Sequence, residues 1–136
     1  MKRSCISVQT SGRKLIEITS LARAFLAQSQ IQHGLLHLFV HHTSASFLIT
    51  ENADPDVLVD LERYFERLVP DGADYFSHID EGIDDMSAHI RSALTQTSLM
   101  IPVDNGRLSL GVWQGVFLWE HRFGNKKRQI TLSLLD

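Results

Sequence analysis

The chain predicts an α+β fold, a compact single domain over residues 1–136 with predominantly antiparallel β-sheet packed with two or three helices. Three observations carry that expectation. Apolar residues alternate at period two near the N-terminus and through the last third; Asn105-Gly106 between two such runs is a strong hairpin signal; and helical spacing is confined to three stretches before residue 95. With 136 residues and no repeats, low-complexity tracts or linkers, the chain fits one core. It is too short for two halves enclosing a cleft, so a cleft between subunits is expected.

From the N-terminus, CISVQTSGRKLIEIT reads as a hairpin of two alternating strands around Gly12. Thr19 or Ser20 is placed to cap a helix to about Gln30, with Leu21, Ala24, Phe25 and Gln28 on one face and Gly34 as a stop. LLHLFVHH at 35–42 is a strand whose alternation puts Leu36, Leu38, Val40 and His42 on one face. A second strand spans Ser46 to Thr50. Asp54 as N-cap, Pro55 at the first helical position and Asp56 near the positive dipole end then start a helix, with Leu58, Leu61, Phe65 and Leu68 at helical spacing until Pro70.

Residues 71–83 read as loop, and Asp84 or Asp85 caps a further helix with Met86, Ile90, Ala93 and Leu94 as its buried stripe. Strands follow at SLMIPV, RLSLGVWQ, GVFLWEHRF and, after the basic turn GNKKR, at RQITLSLL. Gly115 suggests a bulge or a close backbone approach.

Composition narrows the function classes. A net charge of -3 supplies no general field for nucleic acid or acidic membranes, the GNKKR segment being a local exception. No apolar run approaches the roughly 20 residues of a membrane span. The N-terminus lacks an apolar h-region, so no secretory signal is expected, and the lone Cys5 fits a reducing cytoplasm.

Three histidine-bearing segments concentrate the chemistry: HHTSASF at 41–47, SHIDEG at 77–82 and DDMSAHIRSAL at 84–94. His42, His78 and His89 with a nearby Asp or Glu match the donors of a zinc-type ion, although no compact pattern such as H-E-x-x-H joins them. A hydrogen-bonded or surface role is the plainer reading for each, and the one given to His33 and His37. Thr43 and Ser44 offer hydroxyls and N–H groups to an anion or to a turn, and no G-x-S-x-G elbow supports a nucleophilic serine. Glu51 has no capping duty, unlike Asp54. Gln114 shares a strand face with Leu108, Leu110 and Val112, so its amide needs a partner; Glu120 needs a buried partner such as Arg122 or Arg128. Trp113, Phe117 and Trp119 are expected to be buried between subunits.

HHTSASF, ENADPDV, HIDEGIDDMSAHI, IPVDNGRLSLGVWQG and the terminal ITLSL, in this order over nearly the whole chain, resemble the YjbQ family, named for a secondary thiamine-phosphate synthase activity. The family's H-T-S-A falls on His42 to Ala45, its E-N on Glu51 and Asn52, and its Y-x-H on Tyr75 to His78 with one residue inserted. A-H-I falls on Ala88 to Ile90 and W-Q-G on Trp113 to Gly115. This chain departs from relatives in having Ser87 where Pro is frequent, Val112 where Thr is frequent, and Asp84 or Asp85 where many have Asn.

The resemblance implies a compact α+β homotrimer with a His-rich pocket that can hold a divalent ion, zinc or magnesium. It also implies a weak ability to join hydroxymethylpyrimidine diphosphate to thiazole phosphate with release of pyrophosphate. On that expectation His42, His89, Glu51 and Gln114 are catalytic. Thr43, Ser44, Asn52, Arg122 and Arg128 bind a small phosphorylated heterocycle; His42, His78, His89 and Asp84 hold the metal. Two alternatives stand beside it: a metal-dependent hydrolase of a small phosphorylated metabolite, and a non-catalytic metal or metabolite-binding protein.

Overall fold

The computed structural model describes residues 1–136 and places them in two antiparallel sheets and three helices. The strands are β1 (Lys2–Ser11), β2 (Lys14–Glu17), β3 (Gly34–Val40), β4 (Ala45–Glu51), β5 (Ser98–Asp104), β6 (Arg107–Leu108), β7 (Gln114–Glu120) and β8 (Asn125–Leu135). The helices are α1 (Thr19–Ser29), α2 (Pro55–Leu68) and α3 (Asp85–Ala93). One sheet has five strands in the order β1-β8-β3-β5-β6, the other three in the order β2-β7-β4. No helix is long and apolar enough to cross a membrane.

The two strands expected around Gly12 exist but do not form a hairpin. β1 pairs with β8 and β2 with β7, so the turn at Gly12 carries the chain from one sheet to the other. Its φ of 80° suits glycine, and its N–H donates to the Gly124 carbonyl. Alternation reports which face a residue takes, not which strand lies beside it.

Between the sheets lies one core: Leu36, Leu38 and Val40 from β3, Phe47 from β4, Val116 and Leu118 from β7, and Ile130, Leu132 and Leu134 from β8 are all buried there. The opposite face of β7 turns Phe117 and Trp119 away from that core, yet both are buried. Trp119 meets Phe65 of α2 edge-on at 4.6 Å between ring centroids, and its indole N–H donates to Glu62 Oε2 at 2.7 Å. The three-stranded sheet is thus covered on both faces. This corrects the expectation that Phe117 and Trp119 are buried between subunits; of that trio only Trp113 is exposed.

The helices turn differently from expectation. α1 buries Ala22, Leu26 and Ser29 behind the buried Ile18, which fixes the helix rotation, and leaves Leu21, Ala24 and Gln28 outside. Neither Thr19 nor Ser20 caps it: Ile18 holds the cap position, while Thr19 Oγ1 donates to Glu17 and accepts from the Val116 N–H. α2 is capped as expected, Asp54 accepting from the Asp56 N–H with Pro55 first, but Leu58, Leu61 and Phe65 are only half-buried and Leu68 is exposed. On α3 the inward stripe is Ser87, Ala88 and Arg91, not Met86, Ile90, Ala93 and Leu94. Polar contacts set that rotation: Ser87 donates to Asp71, and Arg91 donates to Glu62 while its guanidinium lies 5.5 Å from the Trp119 ring centroid.

Asn105 and Gly106 both have positive φ, 50° and 71°, and join β5 to β6 in the expected two-residue turn. The strand expected through 107–114 stops at Leu108. There Gly111 N–H donates to Gln114 Oε1 at 2.7 Å and Gln114 N–H to the Gly111 carbonyl, and this local turn replaces ladder pairing. β8 begins earlier than expected: Asn125 to Lys127 of the basic segment already pair with β1.

Gly115 makes the close approach its position suggested. A Cβ there would lie 2.7 Å from Glu17 Oε2 and 2.9 Å from Asn52 Cβ. We predict that Gly115→Ala destabilises the protein by about 1–3 kcal/mol through overpacking. In urea titration the midpoint should fall at unchanged slope; an unchanged midpoint would contradict the close approach.

Candidate functional site

The segment 41–44 carries the chain from β3 in one sheet to β4 in the other. Its start is pinned: His41 N–H donates to the Gln129 carbonyl, and His42 Nε2 accepts the Gln129 N–H at 2.9 Å. Because Nε2 is an acceptor, a neutral His42 carries its proton on Nδ1. Burial, then the Arg128 charge, keep the ring below the ordinary histidine range. In this arrangement the His42 lone pair is engaged by the Gln129 N–H, and His42 lies outside the group of ligand atoms formed by His78, Asp85 and His89. It lines an open cleft with Thr43, His89, Ser92, Ala93 and Thr97.

Beneath that segment, Arg128 donates from Nε to Glu120 Oε1 at 2.7 Å and from Nη2 to Glu120 Oε2 and Ser44 Oγ. Glu120 also accepts from Thr10 Oγ1 at 2.6 Å and from the Arg122 N–H at 3.0 Å. Burial alone would raise the Glu120 carboxyl, but these donors hold it below the usual range. The partner expected for Glu120 is therefore Arg128 through its side chain and Arg122 through its backbone.

At the start of α3, His78, Asp85 and His89 offer ligand atoms that all lie within 4.8 Å of one another. Asp85 and His89 are one helical turn apart and share a face; His78 arrives from the preceding loop. His78 Nε2 lies 2.7 Å and His89 Nε2 3.1 Å from the same oxygen, Asp85 Oδ2. His89 Nδ1 lies 3.0 Å from the Thr43 carbonyl oxygen. A carbonyl only accepts, so Nδ1 is the donor, and in a neutral ring the Nε2 lone pair would face a carboxylate. That contact needs a proton or a metal cation. Burial would raise the Asp85 carboxyl; the hydrogen bond from His78 and the charges of His89 and Arg122 outweigh it and hold it low.

Asp85 therefore stands where Asp84 was expected. Asp84 accepts from Arg122 Nε and from the Phe123 N–H, both at 2.9 Å, and makes no capping bond to α3. Arg122 and Arg128, expected to receive phosphate, are both engaged by carboxylates of this chain. Thr43 is exposed on the cleft, whereas Ser44 is buried against Arg128. Glu51, Asn52 and Gln114 sit at the far end of the β4–β7 pair, roughly 20 Å along β4 from Ala45. Within the chain they serve local structure: Glu51 accepts from the Asp54 N–H, Asn52 donates to Glu17, and Gln114 closes its turn. The structure does not bring them to the three-residue cluster within one chain. His33 pairs at the surface with Asp104, and His37 lies on the outer face of β3 beside Phe39.

His121 and Arg91, which no sequence motif marks, are both fully buried beside Trp119. Burial, then the charges of Arg91, Arg13 and Arg128, push His121 down to about 2. Its Nε2 lies 2.7 Å from Ser46 Oγ, which accepts from Thr95 Oγ1 at 2.6 Å. The i,i+4 spacing of Asp85 and His89 was the signal in the sequence that selects Asp85 over Asp84.

A family model described as UPF0047 protein YjbQ-like matches residues 4–136. The chain belongs to the YjbQ family. It is similar to a UPF0047 protein of Synechocystis, with 53% identity over 93% of this chain and 86% of that protein. The Escherichia coli O157:H7 YjbQ protein is 49% identical over 77% of this chain and 75% of its own length. Among solved structures, a YjbQ/UPF0047 protein from Clostridium acetobutylicum superposes with a TM-score of 0.89 at 32% identity, covering 97% of this chain and 99% of that one. A hypothetical protein from Aeropyrum pernix superposes with a TM-score of 0.90 at 28% identity, covering 99% and 98%.

His42 and His121 make the fold acid-sensitive. Both have depressed pKa values when folded, so below the unfolded value of about 6.5 the unfolded chain takes up protons that the native rings refuse. Stability is complete above that value and falls as pH drops through it, by up to about 1.4 kcal/mol per pH unit for the buried His121, with His42 adding in the same direction. We predict a declining urea midpoint between pH 7 and 5, where free carboxylates are ionised. His121→Phe should show a shallower decline; an unchanged slope would contradict the buried neutral ring.

Proposed function

We propose that His78, Asp85 and His89 hold a divalent ion of the zinc class and that the adjoining cleft binds a small phosphorylated heterocycle. The observation that carries this reading is the His89 contact: its Nδ1 is committed to the Thr43 carbonyl, so Nε2 faces Asp85 with a lone pair that a cation satisfies. Two imidazoles and one carboxylate also match the donor chemistry of a catalytic zinc site, which leaves a position open.

The specific reaction we assign is that of a thiamine-phosphate synthase, the activity the family resemblance implies. The thiazole nitrogen forms a bond to the methylene carbon of hydroxymethylpyrimidine diphosphate, and the carbon–oxygen bond breaks with its electron pair leaving on pyrophosphate. A divalent ion held by His78, Asp85 and His89 would supply Lewis-acid neutralisation of phosphate oxygens. The chain's own residues position the substrate: Thr43 and Thr97 line the cleft, and neutral His42 carries a proton on Nδ1 for hydrogen bonding to a phosphate oxygen. Arg122 and Arg128 are engaged by Asp85 and Glu120, so these two guanidiniums hold the site's carboxylates in place and leave phosphate contacts to Thr43, Thr97 and His42.

We further assign a homotrimer working in the cytoplasm. Leu35, Phe39 and Met100 are exposed on the outer side of the larger sheet, and Val112 and Trp113 on the turn before β7; closed cyclic assembly would cover such residues. The single exposed Cys5 suits a reducing compartment.

A second reading, hydrolysis of a small phosphorylated metabolite, is favoured by the same open donor set, which suits activation of water. The expected result is that purified protein binds one zinc per chain and makes thiamine phosphate from the two substrates. His89→Ala should lose metal and lower turnover by at least about 100-fold without unfolding. Release of inorganic phosphate from phosphorylated metabolites with no coupled product would select the hydrolase instead. Zinc retention with no turnover of either kind would select a binding protein.

A further inference from the structure

We infer that Arg122 is a positioning residue for the His78–Asp85–His89 cluster: it fixes which oxygen of Asp85 faces the histidines and anchors the loop that delivers His78. The inference rests on the reading that this cluster holds a metal ion. It assigns to Arg122 a role distinct from holding substrate phosphate.

Three contacts of one guanidinium carry it. Nη1 donates to Asp85 Oδ1 at 2.8 Å, leaving Oδ2 as the oxygen shared by the two imidazoles. Nε donates to Asp84 Oδ2 at 2.9 Å, so the two neighbouring carboxylates are held apart and only one of them reaches the histidines. Nη2 donates to the Glu81 carbonyl at 2.9 Å, three residues beyond His78 in the same loop.

The loop has few other ties. Residues 77–83 are exposed throughout; Gly72 N–H donates to the Ile83 carbonyl at the loop's own neck, and Arg13 holds Asp71 at its start. Between those ends, His78 is held by Asp85 and the backbone by Arg122. The guanidinium is itself placed from below, because the Arg122 N–H donates to the buried Glu120 and the Phe123 N–H to Asp84. A planar fork with donors on three nitrogens can serve Asp84, Asp85 and Glu81 together, which a lysine ammonium on a flexible stem cannot.

The test compares full-length wild type, Arg122→Gln, Arg122→Lys and Arg13→Gln. Zinc affinity is measured by chelator competition, and ring-to-ring NMR contacts between His78 and His89 are recorded on metal-free protein, where the centroids lie 5.4 Å apart. Arg122→Gln should weaken zinc binding about 10–100-fold and lose the ring contact, with Arg122→Lys intermediate in both. Arg13→Gln, which removes a structural ion pair at the loop's start, should lower the melting temperature while keeping zinc affinity and the ring contact. Should Arg122→Gln fail to fold, Arg122→Lys carries the same comparison. Retention of both properties in the Arg122 variants, or an equal loss in Arg13→Gln, would overturn the positioning role. Absence of zinc binding by wild type would instead overturn the metal reading, and the ring contacts would still decide what Arg122 does.

Discussion

The buried ion pair between Glu120 and Arg128 is the constraint on which the arrangement of the site depends. Glu120 ends β7 in the smaller sheet and Arg128 lies in β8 of the larger, so the pair joins the two sheets through charge at the edge of an otherwise apolar core. Thr10 of β1 and Ser44 before β4 complete the donors and acceptors around it. Such a pair contributes little net stability relative to a well-packed apolar substitute, but losing one partner leaves an uncompensated charge costing roughly 3–5 kcal/mol. Its stronger effect is geometric. The bidentate contact ties the end of β7 to β8 in a fixed relative placement.

From that pair the polar structure spreads toward solvent. Glu120 accepts the Arg122 N–H, Arg122 holds the two aspartates at the head of α3, and Asp85 meets the histidines. Arg128 holds Ser44, next to the Thr43 carbonyl that orients His89. The cluster is thus approached from two sides by hydrogen bonds that begin at one buried carboxylate. A separate anchor, Glu62 with Arg91 and Trp119, ties α2 and α3 to the far face of the smaller sheet. Arg91 is fully buried with Nε and Nη1 lacking hydrogen-bond partners, so its placement depends on Glu62 and on the flanking aromatic rings.

Elements specified by local chemistry were legible in the sequence: the Asp54-Pro55 helix start, the Asn105-Gly106 turn, the inward face of β3 and the tight packing at Gly115. Each is decided by a few adjacent residues. What escaped was decided across space. Gly12 looked like a hairpin turn because period-two alternation is the same whether a strand pairs with its neighbour or with one more than 100 residues away, as β1 does. The stripe of α3 was misread because hydrophobicity favoured Met86 and Ile90, whereas Arg91 enters the interior once Glu62 and two aromatic rings meet it. Of the candidate site, the convergence of His78 and His89 was anticipated from motif context. His42 stands apart from that cluster with Nε2 engaged by a backbone donor at Gln129, which no spacing rule reveals. Glu51, Asn52 and Gln114 were grouped with the histidines by family resemblance, and the length of β4 separates them within a chain.

The placement of the two tryptophans divides the molecule optically. Trp119 is sealed between α2 and β7, beside a guanidinium and an imidazole, whereas Trp113 stands in solvent on the turn before the same strand. In a lone subunit, intrinsic emission is therefore the sum of a shielded, short-wavelength component and a hydrated, long-wavelength one. A soluble collisional quencher would extinguish the second while leaving the first. Detachment of α2 would shift the shielded component toward the red, and association of copies over the turn would shift the hydrated one toward the blue, so a single spectrum separates an event inside the subunit from one between subunits.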